Sequence, residues 1–385
     1  MRVLVTGIGG QLGHDVVAIG DAMARTGEFA PRGLRWPLAA GLIGPFRLTE
    51  RVEVRGVGRE QLDLGRADVV RAAVLDWRPN VIVHAAAYTK VDLAEGDGRL
   101  EAYAVNAFAA RALARAAAEV DAEMLYVSTD YVFDGAKGAP YGEWDAAAPI
   151  NEYGRSKWAG EEFVRRILER HWIVRTSWVY GENTGASGGN FVKTMLRVAR
   201  SQLAQNGRDG ADARRAEVRA DDARQAEGQG AADDGRRAEV RVVADQVGCP
   251  TWSRDLAEGI WMLVLASRGT LERSAARSEA GATGGRRSSV DATDVRLDGW
   301  RDLYGTYHMA GGGACSWHDL AVATFAAAGL GERVAVHPVT TAEFPRPARR
   351  PAHSVLEPLA CMAQGLPVLR PWDEAVDEFV RGLEG

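Results

Sequence analysis

Three glycines spaced three apart, Gly7, Gly10 and Gly13, constrain this chain more than any other feature. They lie between Val3-Leu4-Val5, a short buried-strand run, and Gln11-Leu12-Gly13-His14-Asp15-Val16-Val17, which restarts with helical character. Strand, tight turn and helix in that order make the opening of a dinucleotide-binding fold. Small residues let the backbone turn sharply and approach a pyrophosphate, and the helix N-terminus turns unpaired N–H groups and a positive dipole end toward the phosphates.

The rest of the chain continues the alternation. Glu53–Val57, Val81–His84, Met124–Ser128 and Trp172–Arg175 read as strands, while Tyr103–Val120 and Asn151–Ile167 read as helices. Strands alternating with helices predict an α/β fold with a parallel sheet covered on both faces. A length of 385 residues suggests two domains. We assign 1–180 to a Rossmann-type doubly wound domain and 181–385 mainly to a smaller C-terminal α/β substrate-binding lobe. Three stretches break the pattern. Residues 22–50 carry Pro31, Pro37 and Pro45 and form an atypical insertion. Residues 205–241 are nearly all Ala, Arg, Asp, Glu, Gly and Gln, with Arg-Arg-Ala-Glu-Val-Arg at both 214–219 and 236–241. That composition reads as a disordered insertion, as does 268–298.

Charge and cysteine content narrow the function. The net charge of −5 gives no global basic field for nucleic acid or an anionic membrane. Cys249, Cys315 and Cys361 are far apart, without metal-ligand spacing, and their small odd number suits a reducing compartment. The N-terminal apolar run is too short for a signal-peptide core and no run is long enough to span a membrane, so the expectation is a cytoplasmic protein.

The second strand ends Val57-Gly58-Arg59. An acid here would bind ribose hydroxyls; Arg59 instead suits a 2′-phosphate, which favours NADPH, with NADH the alternative. Asp63 can cap a helix or accept from the adenine amino group. Ala85-Ala86-Ala87-Tyr88 follows a strand end, where small side chains let a dinucleotide lie close. Ser128-Thr129-Asp130 follows another strand, and Tyr153 and Lys157 stand at i and i+4 on one helical face. A lysine ammonium and an oxidised nicotinamide would lower the phenol's pKa, and a tuned phenol can protonate the oxyanion formed as hydride reaches a carbonyl carbon. Lys157 can also bind ribose hydroxyls, and Thr129 the carbonyl oxygen or the phenol. Asn106, inside an alanine helix, either satisfies a kink near the site or faces solvent. Trp178, at a further strand end, is either core or an indole wall beside a sugar ring. Arg346, Arg349 and Arg350, interleaved with prolines, suit a rigid loop that pairs with a diphosphate.

Together, VLVTGIGGQLG, VSTDYVFDG, YGRSKWAGE, VRTSWVYG, VVADQVGCPT and EFPRPARRPAHSVL resemble the dTDP-4-dehydrorhamnose reductase family, extended short-chain dehydrogenase/reductases. The resemblance implies NAD(P)H-dependent reduction of the C4 ketone of dTDP-4-dehydro-β-L-rhamnose, the last step of dTDP-rhamnose supply. It implies Tyr153 as proton donor, Lys157 as its partner and Thr129 tuning the site. Gly10, Gln11, Leu12, Asp63, Leu64, Ala86, Ala87, Tyr88, Tyr153 and Lys157 would contact the dinucleotide. Thr129, Asp130 and Trp178 would contact the dTDP-linked 4-ketosugar, with Arg349 added from the loop reading above. Some members bind Mg2+ at a dimer interface. Asp15 stands where one such acid falls, but Arg254 replaces another, so no metal ligand is assigned and monomer or homodimer stays open. One rival is another nucleotide-4-ketosugar reductase or epimerase. The other is a non-catalytic subunit resembling the regulatory subunit of methionine adenosyltransferase, against which the intact Thr129, Tyr153 and Lys157 argue.

Overall fold

A computed structural model of the chain describes residues 1–37, 39–183, 189–218, 237–273 and 302–384. The first half alternates β1 (Arg2–Thr6), α1 (Gln11–Thr26), β2 (Glu53–Val57), α2 (Ala67–Trp77), β3 (Val81–His84), α3 (Ala109–Glu119), β4 (Glu123–Thr129), α4 (Glu152–Ile167) and β5 (His171–Thr176). The second half adds α5 (Phe191–Val218), β6 (Ala238–Val243), α6 (Ser253–Ser267), β7 (Gly305–His308), α7 (Trp317–Ala327), β8 (Val334–Val339) and α8 (Trp372–Glu384). The main sheet runs β2-β1-β3-β4-β5-β7 and every pairing is parallel. Its central strands are nearly continuous apolar runs because helices cover both faces; all four residues of β3 are buried. The chain goes to one side of β1 to make β2 and to the other to make β3. That reversal opens a crevice at the C-terminal ends of β1 and β3, where open α/β sheets take their ligands.

The division expected at residue 180 does not follow the sheet. β7, from residues 305–308, pairs with β5 and completes it. Trp172, Ile173 and Val174 of β5 are fully buried, and a strand so apolar needs a neighbour on each side. Helix α6 also belongs to this body: it packs on α1, and Trp261 donates from Nε1 to the Val16 carbonyl at 2.9 Å. Gly20 makes room, since a Cβ there would sit 2.7 Å from the Trp261 ring.

The atypical insertion at 22–50 contributes to the core. α6 is buried around almost its whole circumference, and such a helix needs cover on its outer side as well. Phe29, Leu34, Ile43 and Phe46 join the same buried cluster. Leu34–Trp36 is tied down by Val368–Leu369, and Phe46–Leu48 pairs with both Glu28–Phe29 and Leu271–Arg273.

The expected disorder of 205–241 is likewise corrected at both ends. Helix α5 runs to Val218, and β6 lies parallel to β8 with Val240 opposite Val336. Ala238, Val240 and Val242 are buried because strand alternation turns every second residue of this polar stretch inward. Residues 219–236 lie outside the described residues. Of 268–298, Arg268 pairs with buried Glu123 at 2.7 Å and Leu271–Arg273 is a strand; 274–298 lies outside the described residues. The second core gathers α5, α7, α8, β6 and β8 around Leu196, Leu320, Phe325, Val376 and Phe379. Among the described residues no helix is long and apolar enough to cross a membrane.

Candidate active site

The glycine turn is built for close approach. Gly7 has a left-handed φ of +84°, and a Cβ there would fall 2.5 Å from the Ala86 nitrogen. A Cβ on Gly13 would lie 2.3 Å from the Gly7 carbonyl oxygen, so only glycine lets α1 sit down on the turn. Gly10 caps α1 without a side-chain acceptor, leaving the first-turn N–H groups free of a capping side chain. The turn therefore fits a dinucleotide pyrophosphate.

The other candidate cofactor residues ring this turn unevenly. Gln11 donates to the Val179 carbonyl at 3.3 Å and accepts from Asn190 at 2.9 Å, while Leu12 is buried. Arg59 is exposed and pairs with Glu101 at 3.2 Å. Glu101 lies 42 residues away and comes from a different helix, so inspection of the second strand's end could not find it. Asp63 caps a turn, not a helix: its carboxylate accepts from the Gly65 N–H at 2.9 Å. Leu64 is half-buried beside it. Ala86, Ala87 and Tyr88 follow β3, and Asn106 grips that loop. Asn106 Oδ1 accepts from the Tyr88 N–H at 2.8 Å, and its Nδ2 donates to Ser156 Oγ at 2.9 Å. Asn106 is fully buried in a π-helical segment, Ala104–Phe108, that leads into α3. It ties the loop after β3 to α4, and the kink reading is the one the geometry supports.

Tyr153, Lys157 and Glu161 run along one face of α4, four residues apart. Lys157 is 1% exposed, donates from Nζ to the Val127 carbonyl at 2.6 Å and lies over the Tyr126 ring at 4.2 Å. Burial pushes its ammonium down to about 7, and the Glu161 charge opposes that fall. Glu161 is itself fully buried, held by the Arg175 guanidinium through bonds of 2.9 and 2.8 Å. Tyr153 lies close enough to Thr129 for the hydroxyl to act on its phenol. In the chain alone, burial pushes the phenol up to about 12, opposed by the Thr129 side chain and reinforced by the Asp130 charge; the lowering expected from an oxidised nicotinamide concerns the cofactor-bound state. The protein by itself thus keeps Tyr153 protonated, which is the form a proton donor needs.

Asp130 is turned inward. Its carboxylate accepts from Thr129 Oγ1 at 3.0 Å, Ser177 Oγ at 3.2 Å and Ser354 Oγ at 2.6 Å. Burial pushes it up to about 6. Asn151 caps α4, accepting from the Gly154 N–H at 2.7 Å, and donates through Nδ2 to the Arg349 carbonyl at 2.8 Å. The proline-rich tail thus docks beside the start of α4. Within it Arg350 is consumed by Asp92, at 2.6 and 3.0 Å, and Arg346 lies over Phe344. Arg349 is exposed, and no described residue forms an ion pair with its guanidinium. Ser177, Ser354, Asp92 and Asn151 were missed by sequence reading. The first three carry no local signal because their partners lie 47 to 258 residues away. Asn151 does carry one, an asparagine directly before a helical run.

Trp178 follows β5, two residues past Thr176, which sits opposite Thr129 in the sheet. It is half-buried and stacks on Trp317. Asp15, for which no metal role was assigned, accepts a hydrogen bond from Ser253, and Arg254 reaches toward Glu258 at 3.9 Å. His84 and His308 are buried and their imidazoles are pushed down to about 3 by burial, so both are neutral structural groups.

This arrangement can be compared with known proteins. The family model described as the RmlD substrate binding domain matches residues 1–205 and 290–384. The chain is 36% identical over 307 residues to a dTDP-4-dehydrorhamnose reductase of Sinorhizobium fredii, covering 79% of this chain and 81% of that one. It is 33% identical to the Burkholderia thailandensis enzyme of the same name, over 100% of this chain and 99% of the relative. The crystal structure of dTDP-4-dehydrorhamnose reductase from Bacillus anthracis in complex with NADP superimposes with a TM-score of 0.69 at 31% identity, over 100% of this chain and 99% of that one.

Proposed function

This chain belongs to the RmlD substrate binding domain family, and on that premise we propose that its cleft reduces the C4 ketone of dTDP-4-dehydro-β-L-rhamnose to dTDP-β-L-rhamnose. It is an oxidoreductase of dTDP-rhamnose biosynthesis. Reduced nicotinamide, when bound, supplies the hydride. Gly7, Gly10, Gly13, Gln11 and Leu12 would hold the pyrophosphate against the start of α1. Ala86, Ala87 and Tyr88 would line the middle of the dinucleotide, and Asp63 and Leu64 its adenine end. Arg59 would take a 2′-phosphate, since an exposed pair such as that with Glu101 is worth only ~0–1 kcal/mol and is readily exchanged. This favours NADPH over NADH.

The observation that supports the reading is that Thr129 ends β4 while Tyr153 and Lys157, on one face of α4, are turned toward that end, Lys157 Nζ donating to the Val127 carbonyl. Tyr153, kept protonated by its burial, gives its proton to the C4 oxygen as negative charge develops there. Thr129 stands beside the phenol and orients it. Lys157, fixed on the Val127 carbonyl, would hold the nicotinamide ribose and bring positive charge near the forming phenolate. Trp178 would wall the sugar ring and Arg349 would pair with the diphosphate. Asp130, its acceptors occupied by Thr129, Ser177 and Ser354, would serve the sugar by positioning Thr129.

Oxidation of NADPH on addition of dTDP-4-dehydro-β-L-rhamnose, run beside NADH and beside UDP- and GDP-linked ketosugars, tests the activity. Tyr153→Phe should keep NADPH affinity but lose roughly 10²–10⁴ in turnover, the usual contribution of a general acid. Near-normal turnover in that variant would refute the assignment of the proton donor.

A further inference from the structure

Trp178 is held in a backbone conformation that bulky residues rarely adopt, with φ at +47°. Two residues of the second lobe pack against its ring. The Trp317 ring lies face to face with the Trp178 ring, centroids 3.6 Å apart and planes within 9°. Phe191 backs Trp317 at 4.7 Å. Along the Nε1–Cε2–Cζ2 side of the Trp178 ring lies Gly248. A Cβ on Gly248 would fall 2.9, 2.6 and 2.7 Å from those three atoms, so any larger residue would push the indole away. Gly248 and Trp317 are delivered by one small ribbon. Val247–Gly248 pairs antiparallel with Cys315–Ser316, Gly248 facing Cys315, and Trp317 follows directly as the first residue of α7. The glycine of the Asp-Gln-Val-Gly-Cys-Pro motif, which the proposed chemistry leaves without a task, thereby acquires a physical reason.

We propose that Trp317 and Gly248 are specificity-determining positioning residues that clamp the Trp178 indole and so fix where the wall of the sugar pocket stands. The inference rests on the reading of Trp178 as the sugar-facing wall. Stacking at van der Waals distance removes the freedom of the ring to slide or flip, and a pocket wall displaced by a fraction of an ångström no longer matches the ketose ring. Neither clamp residue needs to touch the sugar.

The test uses NADPH-dependent reduction of dTDP-4-dehydro-β-L-rhamnose by the full chain, with kcat, sugar KM and NADPH affinity measured for Trp178→Ala, Trp317→Leu, Trp317→Phe and Gly248→Ala. Trp317→Leu and Gly248→Ala should each raise the sugar KM roughly five- to tenfold, the scale of one lost aromatic pair, with NADPH affinity unchanged. Trp317→Phe keeps an aromatic face and should recover most of that loss. If Trp178→Ala raises the sugar KM while Trp317→Leu leaves it at the wild-type value, the clamp is overturned and the wall stands. If Trp178→Ala itself leaves the sugar KM unchanged, the wall fails and the clamp with it. Loss of NADPH affinity in Trp317→Leu would make Trp317 a general packing residue and would also overturn the proposal.

Discussion

At the scale of single residues, helix α4 carries a stability cost at Lys157. Lys157 is almost fully buried with one backbone acceptor, and burial holds it at about 7 instead of its ordinary 10.5. Below pH 7 the folded protein must carry a buried ammonium, so the full cost is present there. As pH rises from 7 toward 10.5 the folded state sheds the proton before the unfolded chain does, and the cost fades. Lys157→Met, which keeps the length and removes the charge, should therefore raise the melting temperature at pH 7 by about 2–5 °C. The gain should shrink in melts run at successively higher pH, and the variant should be inactive. A lower melting temperature at pH 7 would show that the Val127 and Tyr126 contacts outweigh desolvation. Residues of this kind were legible because helical spacing alone puts Tyr153 and Lys157 on one face. The rise that burial gives the phenol in the chain alone was not legible. It depends on how deeply the ring is packed and on the Asp130 charge beside it, and neither is a property of spacing.

At the scale of elements, one hexamer shows why local sequence does not suffice. Arg-Arg-Ala-Glu-Val belongs to helix α5 at 214–218, yet in the second copy Ala-Glu-Val is strand β6 at 238–240. These residues have no strong preference of their own. In the second copy the parallel partner β8 and the core around Leu196 and Phe325 decide the outcome. The proline-rich tail poses the same problem in reverse: its composition announced a rigid loop, but only the fold shows what it grips. Asp92 holds it through two bonds to Arg350 and a third, at 3.2 Å, to the Ala348 N–H. Asp92→Asn removes the charge-assisted pair and should let the tail open locally. Limited trypsin digestion reads this directly, because Arg346 and Arg350 precede prolines and leave Arg349–Arg350 as the cleavable bond. Cleavage there should quicken roughly tenfold, the equivalent of one such interaction. An unchanged rate would mean that Asn151 and Ser354 suffice to dock the tail.

At the scale of the whole molecule, the alternating strands made the parallel sheet legible, but not the return of residues 305–308 to its edge or the weaving of 22–50 over α6. Both depend on partners more than a hundred residues away, Trp172–Arg175 for β7 and Leu256–Leu263 for the insertion. The same reasoning defines how much chain the enzyme needs. Were all of 205–241 disordered, as its composition reads, the whole stretch could be removed. That cut would take β6 with it, including buried Ala238, Val240 and Val242, and would leave β8 without its partner. The structure marks narrower limits. Asn206 Nδ2 donates to the Arg237 carbonyl at 3.3 Å, and Gln202 Oε1 accepts from the Glu239 N–H at 2.9 Å. Helix α5 therefore touches the start of the strand at Asn206, about three turns before its own end at Val218, so a short linker from that point can close the gap. The first segment matched by the family model ends at 205, just before this point. Replacing 207–236 by three or so Gly/Ser residues, about the reach of a tight connection, should keep turnover within about twofold and the melting temperature within ~3 °C. Deleting 205–241 should abolish cooperative melting of the second lobe and, with it, sugar binding. If the narrow excision proves as damaging as the wide one, the removed residues are part of the lobe's stability and the enzyme is not smaller than its chain.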